Sequence, residues 1–185
     1  VPRTVYYAAS SLDGFIATPD HSLDWLLQQD IDQHGPLGPA GFTERVGAIA
    51  MGSATYEWIR AHLDGWEYTV PTWVFTRRHR VSDDAADITF TDDDVRQVHA
   101  AMVRAAGDRD VWVMGGGDLA GQFADAGLLD EVAVAWAPVT LGAGIPLLPR
   151  RLDLRLIDVD RNGAFACVRY DVVRPSDAGR DVATG

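Results

Sequence analysis

The 185 residues are 47% hydrophobic, which suits one α/β domain with a sizeable buried core better than two small ones. A formal charge of −11 with a pI near 4.7 opposes bulk attraction to nucleic acid or an anionic membrane, so a small-molecule partner is expected and an anionic ligand needs local positive groups. All 16 basic residues are arginine, and a chain without lysine excludes a Walker-type phosphate loop and Schiff-base chemistry.

In chain order, Val5–Ser10 reads as a short strand and SLDG as a turn. Leu23, Trp25, Leu26 and Leu27 form the apolar side of a short helix that Ser22 is placed to cap, and GPLGPAG then breaks regular structure into a loop or lid. Val46–Gly52 is a buried strand, followed by a helix over ATYEWIRAHL with Ser53 as its cap. Thr72–Thr76 is a strand ended by RRHR, a segment that is either a solvated loop or a local anion contact. Ile88–Phe90 is a brief strand, Thr91 the expected cap of the next helix, and Asp92, Asp93 and Asp94 suit the positive end of its dipole. That helix stops at Gly107. Val111–Phe123, VWVMGGGDLAGQF, follows as strand, glycine turn and helix, closed by Gly127. Glu131–Val139 is a strand, LGAGIPLLP a loop, and Leu154–Val159 with Phe165–Val173 a closing antiparallel hairpin around Arg161, Asn162 and Gly163.

Strands alternating with helices, then two strands without one, predict a mainly parallel central sheet with antiparallel C-terminal edge strands. One domain spans residues 1–175, and residues 176–185 form a mobile tail with little to bury. Cys167 is the single cysteine, and no 18-residue apolar run is present. A reducing, cytoplasmic setting is the resulting expectation. The five histidines lack metal-ligand spacing, so no metal site is expected.

The triplet Gly115, Gly116 and Gly117 admits three readings. G-x-G-x-x-A matches a dinucleotide fingerprint, yet the turn falls late in the chain and no acid ends the following strand to take a ribose. Close packing of helix on strand is the second reading. Phosphate binding by exposed N–H groups and a helix N-terminus is favoured here, because three consecutive glycines cost backbone entropy.

Taken together, VYYAASSLDGFIA, HSLDWL, MGSATYEWI, VFTRR, VMGGGDLAGQF and APVTLGAGIPLL stand in the order and spacing of the dihydrofolate-reductase-like superfamily. The chain most resembles its single-domain branch related to the C-terminal reductase domain of the riboflavin-biosynthesis deaminase/reductases. That resemblance implies a three-layer fold, NADPH as cofactor across the carboxyl ends of the sheet, and a homodimer using an edge strand near the C-terminus. It implies reduction of a small heterocycle such as 5-amino-6-(5-phosphoribosylamino)uracil, with dihydrofolate reduction or non-catalytic ligand binding as alternatives.

Carried onto this chain, the resemblance assigns the pyrophosphate to Gly115, Gly116 and Gly117, with Asp118 and Leu119 opening the supporting helix. It gives Gly52, Ser53 and Thr55 a second phosphate contact, although relatives usually have Arg or Lys where Ser53 stands. Thr76, Arg77 and Arg78 match the segment that holds the adenosine 2′-phosphate. Asp30 falls near the acid that follows the conserved tryptophan of dihydrofolate reductases, matched here by Trp25, and is open to reading as a proton source or a solvated acid. Asp13 is the other recurring acid, and also an ordinary turn residue. Trp25 and Asp24 are the expected substrate contacts. Ala120 replaces a common aromatic, which argues against dihydrofolate itself.

Overall fold

The computed structural model describes residues 2–78 and 87–174. The first half of the chain runs β1 (Thr4–Ser10), β2 (Phe15–Ala17), α1 (Asp24–Leu27), α2 (Pro39–Thr43), β3 (Val46–Gly52), α3 (Ser53–His62), β4 (Thr72–Phe75) and β5 (Ile88–Thr91). The second half runs α4 (Val95–Ala106), β6 (Asp110–Gly115), α5 (Gly117–Asp125), β7 (Glu131–Trp136), β8 (Ile145–Pro146), β9 (Leu154–Asn162) and β10 (Phe165–Val172). The predicted tail over 176–185, and His79 and Arg80 of RRHR, lie outside the described residues.

Eight strands form one sheet in the order β5-β4-β3-β6-β1-β7-β10-β9. From β5 to β7 every pairing is parallel, while β10 is antiparallel to both β7 and β9. The expected fold class is therefore the observed one. Period-two alternation distributes the core over both faces. Tyr6, Ala48, Ala50, Val111 and Val113 point to the side covered by α4 and α5, where Met102 and Phe123 are fully buried. Val5, Tyr7, Ile49 and Met51 point to the other side, against Phe42 of α2 and Tyr56 and Ile59 of α3. Parallel strands buried on both faces account for the nearly unbroken apolar runs VGAIAMG and VWVMG.

Several local expectations shift. The cap of α3 is Gly52, with Ser53 as the first helical residue and no side-chain cap bond. Thr91 ends β5, its hydroxyl engaged with Asp93, and Asp94 caps α4 by accepting the Arg96 N–H at 2.8 Å. The broken stretch GPLGPAG contains α2, whose Pro39 sits in the first turn, where a missing N–H costs nothing. Strand β7 stops at Trp136 rather than Val139. The expected loop LGAGIPLLP contains β8, which pairs antiparallel with β2 in a small second sheet.

Strands β1, β3, β4 and β6 run parallel, so Ser10, Gly52, Phe75 and Gly115 all emerge at one edge. In open parallel sheets, ligand crevices lie at this carboxyl edge. No helix among the described residues is long and apolar enough to cross a membrane.

Candidate functional site

A cleft of about 220 Å³ opens at the carboxyl edge. Its floor is Ala8 and Ala9 of β1 and Met114, Gly115 and Gly116 at the end of β6, its side is Ala54, Thr55 and Trp58 of α3, and its rim is Ile16, Ala17, Ile145 and the segment carrying His21, Leu23 and Leu26. The wall is mostly apolar with a few polar groups, the usual composition of a small-molecule site. On α3 the division of faces follows helical spacing. Ala54, Thr55 and Trp58 turn to the cleft, while Tyr56 and Ile59 enter the core.

The three glycines of VMGGGDL have three separate causes. A Cβ on Gly115 would stand 2.6 Å from Thr55 Oγ1, so the two segments assigned to phosphates by resemblance touch each other here. Gly116 has φ +82°, a left-handed conformation that L side chains rarely adopt. A Cβ on Gly117 would collide with the main-chain carbonyl oxygens of Pro146 and Leu147. Packing thus explains Gly115 and Gly117 without a ligand, so the count of glycines alone carries less weight than the sequence suggested. The helix ends carry more. Both α3 and α5 begin after a glycine cap with no side-chain cap bond, and both beginnings border the cleft. First-turn N–H groups and aligned peptide dipoles make such ends suited to anions.

Asp118 and Leu119 open α5 as expected, with different surroundings. Leu119 is buried, and Asp118 accepts from Arg150 at 2.9 Å and from Gln122, which holds its carboxyl below the ordinary range. Arg150 also bonds Asp125 at 2.9 Å, so it bridges the loop after β8 to α5. Ala120 is fully buried in the core beneath α5.

At the end of β4, Thr76 accepts the Arg78 N–H, and the Arg78 guanidinium lies 3.4 Å from Glu57 on an exposed surface. Arg77 is exposed beside them. These residues share the carboxyl edge with Gly52, which pairs with Phe75.

The acids expected to act do not reach the cleft wall. Helix α1 is a single turn, so Asp30 lies beyond it, exposed, and its carbonyl accepts the Ala164 N–H of the β9–β10 turn. The chain leaves helical geometry there to meet the hairpin, which carries the carboxylate away from the wall. Asp13 is a clasp. It accepts from Ser11 Oγ at 2.6 Å, Leu141 N–H at 3.0 Å and Gly142 N–H at 2.7 Å, and these donors, Ser11 foremost, lower its pKa to about 2. A carboxyl held so low stays ionised and cannot deliver a proton near neutrality. Asp24 is exposed at the start of α1, and Trp25 packs against Ala135, Ala137, Phe165 and Cys167, with its indole N–H buried. Neither of them lines the cleft.

His21 and Trp58 line it instead, and sequence reasoning passed over both. Trp58 was legible from its place four residues after Ala54 on one helix face. His21 carried no spacing signal.

A sequence model of the RibD C-terminal domain matches residues 2–163. YwjB, an uncharacterized protein of Bacillus subtilis, is 32% identical over 172 residues, which cover 91% of this chain and 97% of that protein. The crystal structure of a protein from Shewanella, described as a riboflavin biosynthesis protein, matches with a TM-score of 0.77 at 24% identity, over 93% of this chain and 99% of that one. The diaminohydroxyphosphoribosylaminopyrimidine deaminase/5-amino-6-(5-phosphoribosylamino)uracil reductase of Thermotoga maritima matches with a TM-score of 0.67 at 16% identity, over 93% of this chain and 57% of that one.

Proposed function

The chain belongs to the RibD C-terminal domain family, and from that premise we propose that it is an NADPH-dependent reductase of a small heterocyclic substrate of the 5-amino-6-(5-phosphoribosylamino)uracil type. The observation that carries this reading is the meeting of two glycine-capped helix starts, at Gly52 and Gly116, beside one apolar cleft. Their donors fit a pyrophosphate, and the space beside Gly52, where a Cβ would meet nothing within 4 Å, is open to a ligand.

In this reading Gly116 and the first turn of α5, with Ser53 and Thr55 of α3, hold the pyrophosphate. Thr76 and Arg77 take the 2′-phosphate, because Arg78 is already engaged by Glu57. NADPH supplies a hydride when bound. The chain's own part is to orient the two reactants and exclude water, for which Ile16, Leu26, Trp58 and Met114 provide the wall.

Fluorescence titration tests the cofactor, using the chain's six tryptophans. NADPH binding tighter than NADH, followed by loss of dihydronicotinamide absorbance on adding the phosphoribosylaminouracil, is the expected result. Absence of NADPH binding would sink the reading. Arg77→Ala is expected to weaken NADPH roughly 10-fold, since a charge-assisted bond contributes about 1.5–3 kcal/mol when sheltered and less when exposed. Equal losses for NADH would remove Arg77 from the 2′-phosphate.

One observation favours a second reading. No carboxylate lines the cleft among the described residues, as suits a protein that binds the nucleotide and a ligand without turnover. Tight NADPH binding without oxidation by any candidate substrate would select it.

The proposal includes a homodimer built on β9. This edge strand exposes Leu154, Leu156, Ile157 and Val159. An uncovered apolar edge invites pairing with another copy. Light scattering is expected to give twice 20.1 kDa for the wild type and a monomer for Leu156→Asp combined with Val159→Asp. A monomeric wild type would remove the dimer.

A further inference from the structure

We propose that His21 is the proton donor of the cleft, delivering to the substrate the proton that accompanies the hydride; this rests on the reductase reading above. Among the described residues, His21 is the ionisable side chain on a wall otherwise made of Ala, Ile, Leu, Thr, Trp, Met and Gly. The carboxylates that sequence pointed to are placed elsewhere. Asp13 clasps Leu141 and Gly142, and Asp24 and Asp30 stand outside the wall.

The backbone holds His21 where it is. Its φ is +64°, in the left-handed region. A tight turn fixes this conformation: the His21 N–H donates to the Thr18 carbonyl at 2.9 Å, the Ser22 N–H donates to Thr18 Oγ1 at 2.9 Å, and the Thr18 N–H donates to the Ser22 carbonyl at 3.2 Å. A non-glycine residue kept in a sparsely populated conformation beside a ligand cleft is a recurring mark of a functional position. Asp20, next in the chain, is the charged neighbour. The Thr18 hydroxyl, donating at 2.5 Å, holds its carboxyl below the ordinary range, so Asp20 is an anion next to the ring.

In the ring-opened form of the phosphoribosylamino group the C1–ring-oxygen bond is broken, the released oxygen carries the former amine proton and C1 is an imine carbon; the hydride adds to that carbon, and the π pair moves to nitrogen. Nitrogen takes the proton from the imidazolium, which becomes neutral imidazole, while the dihydronicotinamide is oxidised. Positioned proton donors contribute roughly 10²–10⁴-fold to such steps.

His21→Gly accepts the left-handed backbone without strain, and His21→Asn keeps polarity without a transferable proton. Both are expected to bind NADPH within about 3-fold of wild type and to lose roughly 10²–10⁴-fold in kcat. Added imidazole should restore turnover in His21→Gly only. Independently of turnover, the His21 ring signals in NMR should shift when 5-amino-6-(5-phosphoribosylamino)uracil is added to the protein with NADP⁺, while those of His99, which bonds Thr4 at the far end of β1, stay in place. Undiminished kcat in His21→Gly, or unmoved His21 signals in a complex that forms, would overturn the assignment. A wild type that binds no NADPH fails earlier, at the cofactor, and takes this proposal with it.

Discussion

Gly117→Ala is expected to lower the melting temperature by about 4–24 °C and to damage the cleft, although alanine is the smallest side chain that can be added. Its Cβ would strike the carbonyl oxygens of Pro146 and Leu147, and neither can retreat freely. Pro146 is paired with Phe15 in the small sheet, and the Leu147 N–H donates to the Gly14 carbonyl at 2.9 Å. The Leu147 carbonyl also accepts the buried Tyr6 hydroxyl at 2.7 Å. Moving that segment strains a packed region, at about 1–3 kcal/mol, and leaves the Tyr6 hydroxyl unsatisfied, at about 1–3 kcal/mol more. Each kcal/mol corresponds to roughly 2–4 °C in a domain of this size. Because Phe15 and Pro146 adjoin the cleft residues Ile16 and Ile145, NADPH affinity should fall as well. Gly52→Ala is the control. Its Cβ meets nothing within 4 Å and its φ is −82°, so the fold should be unaffected while any loss of NADPH binding reports on the site. An unchanged melting temperature for Gly117→Ala would show that the 146–147 segment is not held as described.

The parallel sheet was legible because its signals are local and repeated: apolar runs of strand length, with helical patterns directly after β3, β5 and β6. The hairpin was legible from Asn162 and Gly163. What escaped depends on contacts between distant segments. Strand β8 exists because β2 is there to pair with it, and the two residues of Ile145–Pro146 carry no period of their own. Asp30 looked like a helix acid because DWLLQQD has helical composition, yet the helix stops at Leu27 so that the chain can meet the β9–β10 turn. Gly163 records that meeting, since a Cβ there would strike the Asp30 carbonyl. The glycine triplet was recognised as special, but only the structure separates a steric need at Gly115 and Gly117 from a conformational one at Gly116. His21 was the hardest to see. Its position depends on one dihedral angle, which no composition or spacing encodes.

Arg169→Ala is expected to destabilise the protein by about 3–5 kcal/mol while leaving the cleft intact. Glu131 opens β7 with its side chain only 1% exposed. Arg169 of β10 grips it with two bonds, at 2.7 and 3.1 Å, and Arg3 approaches at 3.2 Å. Removing Arg169 would strand a buried carboxylate with one remaining partner, and breaking a buried pair from one side is the costly case. Replacing Arg169 and Glu131 together by leucine should cost much less, because no uncompensated charge remains. The expected ordering in urea denaturation is therefore Arg169→Ala far below wild type, with the double variant between them. A double variant as unstable as Arg169→Ala would show that the pair contributes more than the repair of its own burial. The same cluster sets part of the acid limit. Arg3, then Arg155, hold the Asp171 carboxyl below its ordinary range. A depressed folded value means that this stabilisation is complete above the unfolded carboxylate pKa of about 3.9 and is lost as pH falls below it. Glu131 pairs with Val5 at the opposite end of β1 from Ser10. Five strand residues, or roughly 17 Å, thus separate the cluster from the carboxyl edge. NADPH affinity measured well below the melting temperature should be unchanged in Arg169→Ala, which separates loss of the fold from loss of the site.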